Sequence, residues 1–213
     1  QRQMCIRDRS KIPPYGSRGL IDCDCLQRKC EQSGKQRQQT QYGYGNRQFE
    51  NTDSLFLKKR RVIDKGNTEV VAEYIKEMTG ADVFRIMPDK EYEKIQDYDE
   101  LVELTRIEHE NDERPTFNGK INDIGKYDTI FIGSPIWWYT FPQVMYTFLD
   151  SYDLNGKTII PFTTHEGSGL ADVVEVLRKY YPNATVAEGL AIRGRDAVKS
   201  KEKVVRWLEK TGF

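Results

Sequence analysis

Residues 127–138 read Tyr-Asp-Thr-Ile-Phe-Ile-Gly-Ser-Pro-Ile-Trp-Trp, and this stretch decides the fold. Its first half is an apolar run that ends in glycine, which is typical of a strand buried on both faces of a parallel sheet. Its second half places large aromatic residues directly after the strand, where the loops of such a sheet bind ligands. The stretch therefore predicts a buried parallel strand with a ligand site at its carboxyl end.

Strand and helix patterns alternate on both sides of this stretch. Strands are expected over 82–86, 157–163 and 185–192, the last interrupted by Gly189, and helices over 67–79, within 91–107, after Pro142, over 170–181 and over 197–210. An acidic loop with Glu108 and Glu110 is expected before Pro115. Such alternation predicts an α/β fold, a doubly wound parallel sheet in three layers. The buried strand that normally begins such a sheet is altered or missing.

The charge is distributed unevenly along the chain. The 213 residues include 33 Lys and Arg and 33 Asp and Glu. Residues 1–62 hold 14 basic and 6 acidic side chains (+8), whereas residues 63–213 hold 19 and 27 (−8). An acidic surface favours basic partners. No stretch approaches the roughly 18–20 apolar residues of a membrane helix, so we expect no membrane span. We expect a cytoplasmic location by default, and the alternative that an N-terminal leader has been lost stays open.

The beginning of the chain differs from the rest. All four cysteines lie in the first 30 residues, and nine glutamines lie in the first 50. The opening residues, QRQMCIRDR, resemble a translated sequencing adapter. We therefore interpret residues 1–50 as a disordered, adapter-like or mis-framed segment and residues 51–213 as the domain, well formed from about residue 63.

A mis-framed first strand is one hypothesis for the missing element. Residues 51–61, NTDSLFLKKRR, make a poor strand because only three apolar residues precede four basic ones. A shift of one nucleotide would permit ILIAYFSKKGE, a buried strand followed by a phosphate-type loop. Two other interpretations of the beginning are weaker. A zinc site at Cys23, Cys25 and Cys30 lacks a second ligand pair, and stacking of nucleic acid on Tyr42 and Tyr44 has little support. We expect no metal and no nucleic acid.

Three loops after the predicted strands carry polar or aromatic groups. At residues 66–69, Gly-Asn-Thr-Glu, glycine and a helix start suit an anion, although a plain helix N-cap would also explain the pattern. At residues 133–140, three adjacent aromatic residues cannot all point inward, so at least one can stack on a flat ligand. Residues 163–169 are polar and rich in glycine. Adjacent His165 and Glu166 make a poor catalytic dyad, and no catalytic residue is assigned.

In their order and spacing these loops resemble the flavodoxin family, most closely a bacterial flavodoxin-like branch, over about residues 63–213. The resemblance implies a five-stranded flavodoxin-like sheet that binds FMN without a covalent bond. Asn67 and Thr68 would hold the phosphate, residues 134–139 would flank the isoalloxazine, and residues 165–169 would approach its other edge. The implied FMN-binding residues are Gly66, Asn67, Thr68, Ser134, Pro135, Ile136, Trp137, Trp138, Tyr139, Thr164, His165, Gly167, Ser168 and Gly169.

The resemblance implies an FMN-dependent redox protein that acts in electron transfer with a redox partner protein or a small electron acceptor. An NAD(P)H-dependent FMN reductase of quinones is the first alternative, so whether the protein is an enzyme stays open. A cofactor-free fold fragment with a disrupted phosphate loop is an alternative of another class. The oligomeric state is not predicted.

Overall fold

A computed structural model describes residues 65–90, 92–95 and 97–213, together with the backbone of residues 18–22. The strands are β1 (Arg18–Asp22), β2 (Asp82–Arg85), β3 (Met87–Pro88), β4 (Phe117–Asn118), β5 (Thr129–Pro135), β6 (Thr158–His165), β7 (Thr185–Val186) and β8 (Leu190–Arg193). The helices are α1 (Asn67–Thr79), α2 (Tyr98–Glu110), α3 (Gln143–Ser151), α4 (Val173–Tyr180) and α5 (Lys201–Thr211). None of the described helices is long and apolar enough to cross a membrane.

The main sheet is parallel and has the order β2-β1-β5-β6, with β7 and β8 both paired to the outer side of β6. Counting β7 and β8 as one interrupted strand, this is the 2-1-3-4-5 order of a flavodoxin-like sheet. The break occurs at Gly189, where an added Cβ would lie 2.8 Å from Leu170 Cδ2. The predicted doubly wound sheet and its interrupted last strand are confirmed.

The position expected to be altered or missing in the sheet is filled by β1. Residues Arg18–Asp22 pair in parallel with β2 on one side and with β5 on the other. These five residues lie within residues 1–50, which we interpret as a disordered, adapter-like or mis-framed segment, and that division of the chain stays a prediction. A sheet ladder joins backbone groups, so a short segment can fill the gap without the long apolar run that we sought. The cysteines, the glutamine-rich part and the candidate strand within residues 51–61 lie outside the described residues.

Each face of the sheet is covered by a pair of helices. Ile130 and Ile132 of β5 face α3 and α4, whereas Phe131 between them faces α1 and α5. All three side chains are completely buried. Burying each of them contributes about 1.5–3 kcal/mol, so the two faces together supply the main stabilisation of this strand. The result is the predicted arrangement in three layers.

Helix α2 extends further than the sequence predicts. Glu108 and Glu110 belong to α2 and not to an acidic loop. The N-cap of the helix is Asp97, whose carboxylate accepts hydrogen bonds from two backbone N–H groups. Leu101, Thr105 and Glu108 are buried, and their spacing places them on one face of the helix,. Charge alone misled the prediction, because Glu108 finds hydrogen-bond donors inside the protein. The short antiparallel pair β3–β4 was also missed.

Candidate functional site

The three candidate loops meet at the carboxyl edge of the sheet. The hydroxyl groups of Thr68 in α1 and Thr164 in β6 are 2.5 Å apart. The backbone N–H of Ile136, just beyond β5, donates to the Thr164 carbonyl at 3.0 Å. Thr164 therefore joins the loop of the aromatic residues to the start of α1, as the parallel topology requires.

The start of α1 lacks a side-chain cap. Its N-cap is Gly66, which makes no side-chain hydrogen bond, and Asn67 and Thr68 are the first two residues of the helix itself. The plain N-cap interpretation of these two residues is therefore wrong. Asn67 is 5% exposed, yet its amide nitrogen Nδ2 is buried and has no hydrogen-bond partner in the described part of the chain. A buried amide donor at the start of a helix is suited to an anion.

The aromatic loop is a tight two-residue turn. Trp137 and Thr140 exchange two backbone hydrogen bonds of 3.0 Å. Trp138 and Tyr139 between them have φ angles of 52° and 62°, the left-handed pattern of a type I′ turn, which normally uses Asn or Gly. For bulky residues this conformation costs about 1–3 kcal/mol each. The turn presents Tyr139, which is 66% exposed, and Trp138, which is 38% exposed.

The two indoles of this turn contact the segment that contains α2. The ring of Trp137 packs edge-on against Tyr92, with ring centroids 6.3 Å apart and planes at 89°. The indole nitrogen of Trp138 donates to the Thr105 hydroxyl at 3.3 Å. The indole nitrogen of Trp137 is buried, and no described residue accepts a hydrogen bond from it. Sequence reasoning missed Tyr92 and Thr105, because neither lies near the motif along the chain.

Strand β5 ends at Ser134 and Pro135, and the serine is completely buried. Ser134 is 0% exposed and its hydroxyl donates to the carbonyl oxygen of Pro135 at 2.7 Å. These two residues belong to the last part of β5 and pair with Thr163 and Thr164 of β6. They therefore support the base of the aromatic turn, while Ile136 continues from them as a partly buried residue.

The third loop folds back on β6. The hydroxyl of Thr163 donates to the carbonyl of Gly169 at 3.0 Å, and Gly169 has a φ of 64°, which favours glycine,. The backbone N–H of Gly167 donates to Nδ1 of His165 at 3.0 Å. Since Nδ1 accepts this bond, neutral His165 carries its proton on Nε2. Ser168 lies between these two anchored glycines and is partly buried.

Positive charge surrounds His165. Arg193 of β8 is its register partner on the neighbouring strand. Burial, followed by the charges of Arg193 and Lys203, holds the pKa of His165 below its usual value. His165 is therefore neutral near pH 7. It can donate a hydrogen bond through Nε2–H, but it does not act as a cation. Within the described ranges, no cluster of His, Cys, Asp and Glu is arranged to hold a metal ion.

Comparison with known proteins agrees with this architecture. The family model described as Flavodoxin matches residues 62–211. A search of curated proteins found no match. A candidate flavoprotein of Bacteroides eggerthii is 23% identical with a TM-score of 0.64, over 92% of this chain and 97% of that chain. A second, from Bacteroides uniformis, is 23% identical with a TM-score of 0.62, over 91% and 98%.

A structure of a Lactobacillus acidophilus flavoprotein in complex with FMN is also similar. It is 16% identical with a TM-score of 0.53, over 88% of this chain and 99% of that chain. At these identities the solved structures show a common fold, and the family model supplies the relationship in sequence. Three loops gathered at the carboxyl edge of a 2-1-3-4-5 sheet, together with a match over most of the chain, show that this protein belongs to the flavodoxin family.

Proposed function

We propose that the protein binds FMN at the carboxyl edge of the sheet and acts in electron transfer. The observation that carries the proposal is Asn67 Nδ2, a buried amide donor at the start of α1 that has no hydrogen-bond partner among the described residues. A buried donor left unpaired costs about 1–3 kcal/mol. A phosphate at this helix start would accept a hydrogen bond from the amide and would remove that cost.

The aromatic turn supports the ring end of the proposed site. Trp138 and Tyr139 are held in left-handed conformations that cost energy, and both side chains keep a substantial exposed area. Strained backbone conformations cluster at ligand-binding positions. Aromatic faces presented in this way suit a flat isoalloxazine. The residues present therefore fit FMN at both ends, the phosphate and the ring.

Within this proposal the cofactor supplies the electron or hydride chemistry, and the chain supplies binding and orientation. Gly66, Asn67 and Thr68 would bind the phosphate, the aromatic turn would orient the ring, and His165 would offer Nε2–H near the ring's other edge. The remaining proposed contacts are Ser134, Pro135, Ile136, Thr164, Gly167, Ser168 and Gly169. A redox partner protein or small acceptor, and a cytoplasmic location, stay predictions from the sequence.

The test compares FMN with riboflavin, which has the same ring but no phosphate. Each is titrated into the full chain while flavin fluorescence is followed, and thermal midpoints are measured with and without FMN. We expect binding of FMN and a raised midpoint, since a ligand of the native state stabilises it. Asn67→Ala should weaken FMN binding about tenfold, the effect of one charge-assisted hydrogen bond, and leave riboflavin binding unchanged. Asn122→Ala, at an exposed position, is the matched control.

The outcomes separate the alternatives. Absence of flavin binding and of any thermal shift in the wild-type chain would overturn the proposal in favour of a cofactor-free domain. An equal loss of FMN and riboflavin binding in Asn67→Ala would remove the phosphate role of Asn67. If the FMN-loaded chain oxidises NADH or NADPH with a quinone and without another protein, it is a reductase, whereas a carrier needs a separate reductase.

A further inference from the structure

A buried carboxylate is connected to the aromatic turn through a single residue, Tyr92. Glu108 of α2 is 3% exposed. Its two oxygens accept from the Tyr92 hydroxyl at 2.8 and 3.0 Å, and Oε1 also accepts from Lys90 Nζ at 2.6 Å. Lys90 is shared with Glu113, whose carboxylate is 3.0 Å away. The carboxylate of Glu108 is not among the proposed contacts with FMN.

Tyr92 connects Glu108 to Trp137. The tyrosine is 2% exposed and forms a small core with Leu101, against which Ile95, Leu104 and Trp137 pack. Its hydroxyl is bound by Glu108, and its ring meets the Trp137 indole edge-on. The phenol is therefore fixed at its polar end and in contact with the indole at its ring.

Trp137 does not fix its own orientation by hydrogen bonding. Within the described ranges its buried indole nitrogen has no hydrogen-bond partner, in contrast to the indole nitrogen of Trp138, which donates to Thr105. The orientation of the Trp137 ring consequently depends on the side chains packed against it. Among these, Tyr92 has an anchored polar group, and a directional hydrogen bond restricts the tilt of a ring in a way that apolar packing does not.

We propose that Glu108, acting through Tyr92, is a positioning residue that sets the orientation of the Trp137 indole at the flavin edge. The hydrogen bond between Tyr92 and Glu108 fixes the direction of the phenol. An apolar side chain would fill the same volume without the cost of burying a carboxylate. Leu101, Thr105 and Glu108 lie on one face of α2, so a single helix holds both indoles of the turn. This inference rests on the proposed binding of FMN.

The experiment uses the full chain with Tyr92→Phe, Glu108→Gln and Glu108→Ala. Tyr92→Phe keeps the ring and removes the anchored hydroxyl, Glu108→Gln keeps an acceptor for it, and Glu108→Ala removes every acceptor. Glu113→Gln is the matched control, because it removes the other carboxylate partner of Lys90 and does not contact Tyr92. The readouts are the indole N–H resonances of the flavin-free protein and the FMN dissociation constant with the visible spectrum of bound flavin.

We expect the Trp137 resonance, assigned with Trp137→Phe, to shift in Tyr92→Phe and Glu108→Ala and to shift less in Glu108→Gln. Trp207, which donates to the Glu188 carbonyl at 3.1 Å, serves as the reference within each spectrum. FMN binding should weaken about fivefold to tenfold in Tyr92→Phe and Glu108→Ala, the effect of misplacing one aromatic contact. The bands of the bound flavin should shift in the same variants, and Glu113→Gln should match the wild type.

An unmoved Trp137 resonance in Tyr92→Phe overturns the inference, and so does a dissociation constant within twofold of wild type in a variant whose resonance has shifted. A lower thermal midpoint with unchanged FMN binding identifies a purely structural network and also overturns it. If Glu108→Ala does not fold, Tyr92→Phe decides. Lack of FMN binding by the wild-type chain is a different result, because it overturns the proposed function, whichever way the Trp137 resonance responds.

Discussion

The ring of Phe162 lies directly over Gly133 on the neighbouring strand. The two residues are register partners of β5 and β6, and a Cβ added to Gly133 would lie 2.0 Å from Cζ of the phenyl ring. Phe162 is completely buried. Residue 133 is therefore glycine because the Phe162 ring occupies the space of a side chain. The conformational freedom of glycine is not required at this position.

Gly133→Ala is expected to lower the free energy of unfolding by about 1–3 kcal/mol, because the added methyl group must displace a packed ring. Chemical denaturation followed by circular dichroism measures this loss. Gly167→Ala is the control, since nothing lies within 4 Å of its added Cβ. Phe162→Leu in the same chain should restore part of the loss. A change below about 0.5 kcal/mol for Gly133→Ala would contradict the packing argument.

Tyr139→Gly is expected to stabilise the FMN-free protein by about 0.5–1 kcal/mol, because glycine adopts the left-handed conformation of Tyr139 without strain. The same change should weaken FMN binding, because it removes an exposed aromatic face. Thermal melting and flavin titration test the two effects separately. Tyr139→Phe retains the strain and most of the face, so it should lack the stabilisation that Tyr139→Gly gains from relief of the strain. A loss of stability in Tyr139→Gly would show that the side chain contributes more than its backbone costs.

The pKa of His165 should rise in Arg193→Gln, because the substitution removes one of the two charges that lower it. Burial remains, so the pKa should stay below its usual value. NMR titration of the ring protons measures the shift, with His109, the other histidine of the chain, as reference. An unchanged His165 titration curve would rule out Arg193 as the cause.

The same histidine makes stability depend on pH. The unfolded chain binds the proton first as pH falls through about 6.5, because the folded protein holds the pKa of His165 lower. The free energy of unfolding should therefore decrease below that pH and level off once folded His165 is also protonated. His165→Gln should remove this part of the pH dependence, measured by denaturation at a series of pH values. A slope that persists in the variant would have to come from other groups.

Tyr181→Phe should lower the free energy of unfolding by about 1–2 kcal/mol. The Tyr181 hydroxyl donates at 2.9 Å to the carbonyls of Leu149 and Tyr152 at the end of α3, and the substitution leaves these acceptors inside the protein without that donor. Tyr74→Phe is the control, because its hydroxyl bond to the Val198 carbonyl is exposed. Equal losses in the two variants, measured by denaturant titration, would show that burial does not decide the cost.

Much of the fold could be predicted because its signals are local. The apolar run of β5 and the helical spacing of α1, which ends at Gly80 with a φ of 69°, can be recognised in a few successive residues. The meeting of three loops at one edge could also be predicted, because parallel strands end on the same side of a sheet. Local pattern did not reveal β1, since its two ladders join it to strands more than 60 residues away.

The sequence by itself determined the layers, the parallel sheet and the loops that can bind a ligand, because these follow from periodicity and from chain topology. Only the tertiary structure decided which segment fills the centre of the sheet, that Gly66 and not Asn67 caps α1, and that Glu108 holds Tyr92 against Trp137. Each of these depends on a hydrogen-bond partner distant along the chain or on a backbone angle. The periodicity of the sequence predicts which residues lie on the same face of an element. Only tertiary packing determines which residues that face contacts.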